Sequence, residues 1–320
     1  MTDNATSGPG PHQQKRARAG FGYGFAAYGI WGLLPLYFVV LAPATAYEIV
    51  ALRIVFSLVV CLLMLAVTHS VGRFIRLFRD GSAVLALTVA GVLIAGNWLL
   101  YTVATTTGHT LEASLGYFIN PLVAILLGVL VLHEKLRPLQ WTAIAVGALA
   151  VVIMAVFYGA VPWLSLGLAF TFGFYGLVKS RVGSRYPALI TLTGETAMIT
   201  PLALVAVALL GAQGQITLTS GGTGHFLLLL SSGVITAVPL LLFGAAAARL
   251  PLSTVGILQY IAPIGQFILA SWSSTRRCPR SAGSVSASCG SPWCCSCSTP
   301  SAPLARPVSP AAERTRSHRH

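Results

Sequence analysis

The chain has 320 residues, of which 55% are hydrophobic and only 8% charged, with a net charge of +13 and a mean hydropathy of +0.79. A soluble domain carries roughly 25% charged residues, so this chain cannot coat a globular surface with charge, and an all-α polytopic membrane protein is expected. The basic residues lie in short clusters between apolar runs, the pattern of loops at an anionic membrane surface rather than of a nucleic-acid interface.

Residues 1–19 are polar and end in Lys15, Arg16 and Arg18, without the apolar core or cleavage site of a signal peptide, so a disordered cytoplasmic leader is expected. Nine segments then reach the roughly 20 apolar residues that a membrane helix needs: 21–41, 47–67, 83–104, 110–132, 139–158, 161–178, 187–210, 225–247 and 251–272. Arg73, Arg76 and Arg79 follow the second span, Lys135 and Arg137 the fourth, Lys179, Arg181 and Arg185 the sixth, and Arg249 the eighth. The alternate connections, near 42–46, 106–109, 159–160 and 211–224, contain no Lys or Arg. The positive-inside rule therefore places the N-terminus in the cytoplasm, and localisation in the cytoplasmic (inner) membrane is expected.

An internal repeat is present. GYFINP at 116–121 resembles LQYIAP at 258–263, and GVLIAGNWLLY at 91–101 aligns without a gap to GVITAVPLLLF at 233–243, both at an offset of 142 residues. Spans three and four thus recur as spans eight and nine. Five spans per copy is an odd number, so the second copy enters the membrane inverted, as in many secondary transporters. The expected architecture is ten helices in two inverted five-helix repeats, 20–158 and 159–272, of which this chain supplies nine.

The missing helix should begin opposite VLHEKLRPLQW (131–141), where the sequence instead reads SSTRRCPRSAG (273–283) and continues into a tract holding five of the six cysteines. With permitted codon choices, a shifted reading frame converts 273–283 into a sequence with H-E, P and W opposite His133, Glu134, Pro138 and Trp141. The same frame turns the Cys/Ser run at 293–298 apolar. The tail 273–320 is accordingly read as frameshifted and disordered, with no metal, disulfide or ligand, since its cysteines lack the paired spacing of a zinc site.

Function should reside in polar groups inside the bilayer, which are costly and mark pathways or buried pairs. Arg53 lies deep in span two; Glu48, five residues earlier, is read either as a boundary residue or as its companion. Asn97, Trp98 and Tyr101 share a face of span three. Tyr117, Asn120 and Pro121 lie on span four, where the proline can free a carbonyl and kink the helix. Their repeat counterparts are Gln259, Tyr260 and Pro263. Aromatics and amides converging at mid-membrane make either a pocket for an organic solute or simple packing. Glu195, a lone carboxylate on span seven, and Glu112 are candidates for coupling or for the substrate pathway. His133 and Glu134 are read as capping or closing a cytoplasmic turn rather than chelating metal. No Walker A motif or nucleophile elbow occurs, so neither an ATP-driven motor nor an enzyme is expected, and no cofactor or metal.

GNWLLY, LEASLGYFINPL, the HE…P..QW turn and LQYIAP resemble the EamA-type drug/metabolite transporter superfamily. The similarity spans roughly 20–272 and is nearest to its RarD branch, whose members are often labelled chloramphenicol-sensitive proteins. The resemblance implies ten helices, two inverted repeats and movement of small metabolites by alternating access; at the tenth helix this sequence departs from the family pattern. The function expected is a secondary transporter of small organic metabolites, with proton coupling through Glu195. The expected partners are a small-molecule substrate and the lipid bilayer, with a homodimer as the candidate assembly and no nucleic acid. A non-transporting membrane sensor or assembly component is the alternative, and a membrane-embedded enzyme a weaker third.

Overall fold

The computed structural model describes residues 11–107, 109–136, 138–158, 162–266 and 268. The tail from 269 on, with its proposed frameshift, lies outside the described residues. Ten helices follow one another: α1 (Pro11–Val40), α2 (Ala46–Val67), α3 (Val71–Leu77), α4 (Gly81–Thr106) and α5 (Thr110–Leu132), then α6 (Pro138–Tyr158), α7 (Trp163–Gly183), α8 (Ala188–Ala212), α9 (Gly222–Ala247) and α10 (Leu252–Gln259). Among the described residues, α1, α2, α4, α5, α8 and α9 are long and apolar enough to cross a bilayer. Large apolar side chains such as Val39, Val67 and Leu202 are mostly exposed on their outer faces. A soluble monomer does not display so much apolar surface; lipid is the solvent that such a surface suits.

The helix boundaries differ from the sequence reading in three places. The leader is helical from Pro11 onward, because Gln13, Gln14, Lys15, Arg16 and Ala17 are good helix formers that simply extend α1. Arg16 then donates to the carbonyl of Ala248 (2.9 Å) at the C-terminal end of α9, where a cation suits the helix dipole. The sixth span continues beyond 178, so that Lys179 lies within α7 and is fully buried rather than in a cytoplasmic loop. The span expected over 251–272 is interrupted at Tyr260, with helix resuming at 261–266. Pro263 has no N–H to offer the carbonyl four residues back, that of Gln259, and the ladder breaks where that bond is lost.

Packing fixes where these helices meet. α2 packs on α8 and α9, α4 on α7 and α8, α5 on α7 and α10, and α1 on α9. Small residues permit the closest approaches, as is usual where lipid gives helices no hydrophobic reason to associate. A Cβ on Gly233 of α9 would lie 2.6 Å from the backbone of Phe56 on α2. Two carboxylates fasten helix starts from a distance. Glu112 Oε2 accepts from the amide of Leu164 (3.2 Å) in the first turn of α7. Glu134 accepts from the amides of Leu252 (2.6 Å) and Ser253 (2.9 Å) at the start of α10. Both supply the acceptors that the first turn of a helix lacks. Glu134 can turn toward α10 because His133 before it adopts the left-handed conformation (φ 54°) that ends α5.

Candidate functional site

A cavity of about 390 Å³ lies among α1, α2, α4, α5, α7 and the segment around Pro263, reaching toward the α1–α2 turn at Ala44 and Ala46. Of the residues singled out by sequence, Arg53, Asn97, Trp98, Tyr101, Tyr117, Asn120, Gln259 and Pro263 all line it. They come from five separate helical segments, so their convergence is a product of the fold and not of local spacing.

Arg53 is the centre of its electrostatics. The side chain is 6% exposed and lies in α2 one turn before Ser57, inside the apolar layer. Its Nε donates to Thr236 Oγ1 of α9 at 3.0 Å. Its guanidinium carbon stands 4.1 Å from the centroid of Trp98 and 5.8 Å from that of Phe38, so two ring faces carry part of the charge. Among the described residues the single ion pair is that of Lys179 with Glu195, and no carboxylate lies within 4.0 Å of Arg53. Glu48 is not its companion. That carboxylate is fully buried and accepts from Thr217 N (2.7 Å), Thr217 Oγ1 (2.9 Å) and Leu218 N (3.0 Å), holding the α8–α9 connection.

Amides complete the polar part. Asn97 uses its Nδ2 to donate to the Leu168 carbonyl (2.9 Å) and to Thr171 Oγ1 (3.0 Å), pinning α4 against α7. Asn120 Oδ1 and Gln259 Oε1 are buried acceptors with no hydrogen-bond partner, although buried polar atoms are nearly always paired. The Tyr28 hydroxyl is a further buried polar atom without a hydrogen-bond partner. Tyr101 and Tyr117 meet edge to face with centroids 5.7 Å apart, closing one wall.

Four sequence candidates stand elsewhere. Glu112 serves the start of α7 and does not line the cavity, because it sits in the first turn of α5, beyond the level of Tyr117. Glu195 is not a lone carboxylate. Lys179 Nζ donates to its Oε2 (3.0 Å) and the Tyr175 hydroxyl to its Oε1 (3.0 Å), while Lys179 also donates to Thr191 Oγ1 (3.1 Å). Two i,i+4 pairs, 175/179 on α7 and 191/195 on α8, face one another across the interface. Tyr260 turns away from the cavity, its hydroxyl 3.0 Å from where a Cβ on Gly147 of α6 would sit. Pro121 also lies off the cavity; its carbonyl faces Gly256 of α10, 3.0 Å from the position of a Cβ there.

Several lining residues escaped sequence reading, among them Tyr28, Trp31 and Phe38 of α1, Phe172 of α7 and Gln266. The i,i+3 spacing of Tyr28 and Trp31, one turn before Pro35, was the available signal, and Thr236 gave none. Tyr28, Trp31 and Phe172 also begin a layer of rings that continues through Phe243 to Tyr175, stacked on Phe243 at 5.5 Å. The layer thus runs from the cavity wall to the Lys179–Glu195 pair, which the Tyr175 hydroxyl reaches through Glu195. A solute-sized cavity with a buried cation, in a helical bundle with a lipid-suited exterior, fits a polytopic membrane protein of the transporter type.

Comparison with known proteins agrees. The sequence profile of the EamA-like transporter family matches residues 18–156. Protein RarD of Streptomyces exfoliatus is 47% identical over 254 residues, covering 79% of this chain and 80% of that protein. The uncharacterized transporter YojE of Bacillus subtilis is 44% identical, over 80% of this chain and 87% of its own length. Protein RarD of Escherichia coli K12 is 38% identical, over 80% and 86%. A solved crystal structure of 18% identity superposes with a TM-score of 0.60, covering 81% of this chain and 90% of that one, a likeness of fold. The chain belongs to the EamA-like transporter family.

Proposed function

We infer that the protein is a secondary transporter that carries small organic solutes across the cytoplasmic membrane by alternating access, with the cavity around Arg53 as the solute site. The observation that carries this reading is the combination at one place of a solute-sized space, an unneutralised buried cation and unpartnered acceptors. Each is costly in a bilayer and is offset when a ligand occupies the site.

The inverted-repeat reading is supported by reciprocal packing. Shifting by 142 residues carries α1, α2, α4 and α5 onto α7, α8, α9 and α10. The contact of α2 with α9 then has its counterpart in α8 with α4, and that of α1 with α9 in α7 with α4. With the N-terminus in the cytoplasm, the cavity faces the outer side through the α1–α2 turn. The ring layer from Trp31 to Tyr175 and the Lys179–Glu195 pair then form its cytoplasmic floor. Alternating access requires that floor to part while the outer side closes. Glu195 is paired with Lys179 rather than alone, so a coupling role on this side belongs to the pair and not to a lone carboxylate.

The test is counterflow in proteoliposomes bearing the full chain. Saturable exchange of a labelled solute from a metabolite panel supports the reading. Binding without exchange for every solute bound would instead make the protein a membrane sensor.

A further inference from the structure

We propose that the solute taken by this cavity is an organic monoanion: a carboxylate held by Arg53, an N–H or O–H group held by Asn120, and a flat apolar body between the rings. The proposal rests on the transport reading above and narrows it to a chemical class.

Among the described residues, the buried Arg53 and Lys179 are treated differently. Lys179 is neutralised by Glu195 and has Thr191 as a further acceptor. Arg53, also buried, has no carboxylate within 4.0 Å, and the nearest candidate in sequence, Glu48, is saturated by Thr217 and Leu218. Only Nε of Arg53 is engaged, with Thr236, which orients the guanidinium plane. Nη1 and Nη2 have no hydrogen-bond partner among the described residues, although Arg53 lines the cavity. A guanidinium edge in that state matches the two oxygens of a carboxylate. Cation–π contact with Trp98 lowers the cost of the empty site but provides no counter-charge.

The number of charges selects the anion. Among the described lining residues Arg53 is the single basic side chain, and no acidic one lines the cavity. A carboxylate therefore leaves a neutral complex, whereas a phosphate monoester would bring a second charge with nothing to meet it. The donor group follows from Asn120, which lines the cavity and whose buried Oδ1 has no hydrogen-bond partner. The apolar body follows from Trp31, Trp98, Tyr101, Tyr117 and Phe172, which surround the remaining space.

The test uses the full chain purified in detergent, with equilibrium dialysis of labelled arylalkyl carboxylates and their primary amides, beginning with N-acetylphenylalanine and N-acetylphenylalaninamide. The acids should bind about tenfold or more tighter than the matched amides, a preference of the size expected for a charge-assisted pair. Arg53→Gln should erase that preference, while Arg53→Lys keeps part of it; both variants are compared as monodisperse protein. Equal binding of acids and amides by the native chain overturns the proposal without recourse to any variant, as does a preference that survives Arg53→Gln. Flux of neutral or cationic solutes through vesicles, with acids excluded, removes the carboxylate proposal and leaves the transport reading standing. Failure of every probe to bind, together with absence of any flux, defeats both.

Discussion

Lys179 and Glu195 form an ion pair of 3.0 Å between α7 and α8, with both side chains almost completely excluded from solvent. Removing one partner of a buried pair leaves an uncompensated charge, which costs about 3–5 kcal/mol. Lys179→Met or Glu195→Gln alone should therefore destabilise the protein by that amount in denaturant titrations in detergent. The double variant should recover much of the loss, because the pair itself contributes little net stability over an apolar replacement. A double variant as unstable as the sum of the singles would show that the pair is not the unit described here.

Glu134 should behave as a remote cap. Its two charge-assisted hydrogen bonds to Leu252 and Ser253 give Glu134→Ala an expected cost of about 1.5–3 kcal/mol, with faster hydrogen exchange at the first turn of α10. Gly128→Ala should reproduce much of this without touching the carboxylate, since the new Cβ would lie 2.8 Å from Glu134 Oε2 and 3.1 Å from the Ser253 amide. Unchanged exchange at Leu252 and Ser253 in both variants would contradict the capping role.

The sequence patterns made much of the site legible, for reasons that can be named. Arg53, Asn97 and Asn120 stand out because polar groups in apolar runs are rare and costly. Gln259 was reached through its repeat relation to Tyr117. Glu195 was misjudged for the same reason that Lys179 was: a lysine near the end of an apolar run looks like loop, and a partner sixteen positions away on another helix leaves no periodic trace. Glu112 reads as an intramembrane charge until the fold brings the start of α7 to it. The aromatic residues of α1 were hidden by abundance, since Tyr28 and Trp31 look like any other membrane-helix aromatics until Arg53 and Asn120 appear opposite them.

The contact of α2 with α9 should be intolerant of bulk at one position. Gly233→Ala places a methyl group 2.6 Å from the carbonyl carbon and oxygen of Phe56, and backbone cannot yield as a side chain does. Overpacking of this kind costs about 1–3 kcal/mol, so the variant should unfold at lower temperature in detergent. Because Thr236 lies one turn further along α9, its hold on Arg53 should loosen as well. Gly224→Ala, where a Cβ meets open space, is the control and should leave the melting temperature unchanged.

Asp80 provides a pH test outside the membrane-spanning segments. It caps α4, accepting from Ser82 Oγ (2.7 Å), Ala83 N (3.1 Å) and the Tyr186 hydroxyl (2.9 Å). These bonds, that from Ser82 foremost, favour the charged form and hold its carboxyl down at about 2, against an ordinary value of roughly 3.9. A depressed folded-state value means that the contribution is complete above about pH 4 and is lost as pH falls toward 2. Asp80→Ala should flatten the stability profile over that window and leave its shape between pH 5 and 7 unaltered. An unchanged acid limb would contradict the cap.

Solute exchange in proteoliposomes, native chain against Arg53→Gln at equal amounts of folded protein, tests most directly the claim that the cavity is the transport site. The native protein should show saturable counterflow of at least one small organic solute, and the variant should lose it by about tenfold or more, the scale of one charge-assisted contact. Equal counterflow by the two proteins would place the pathway elsewhere and contradict the account.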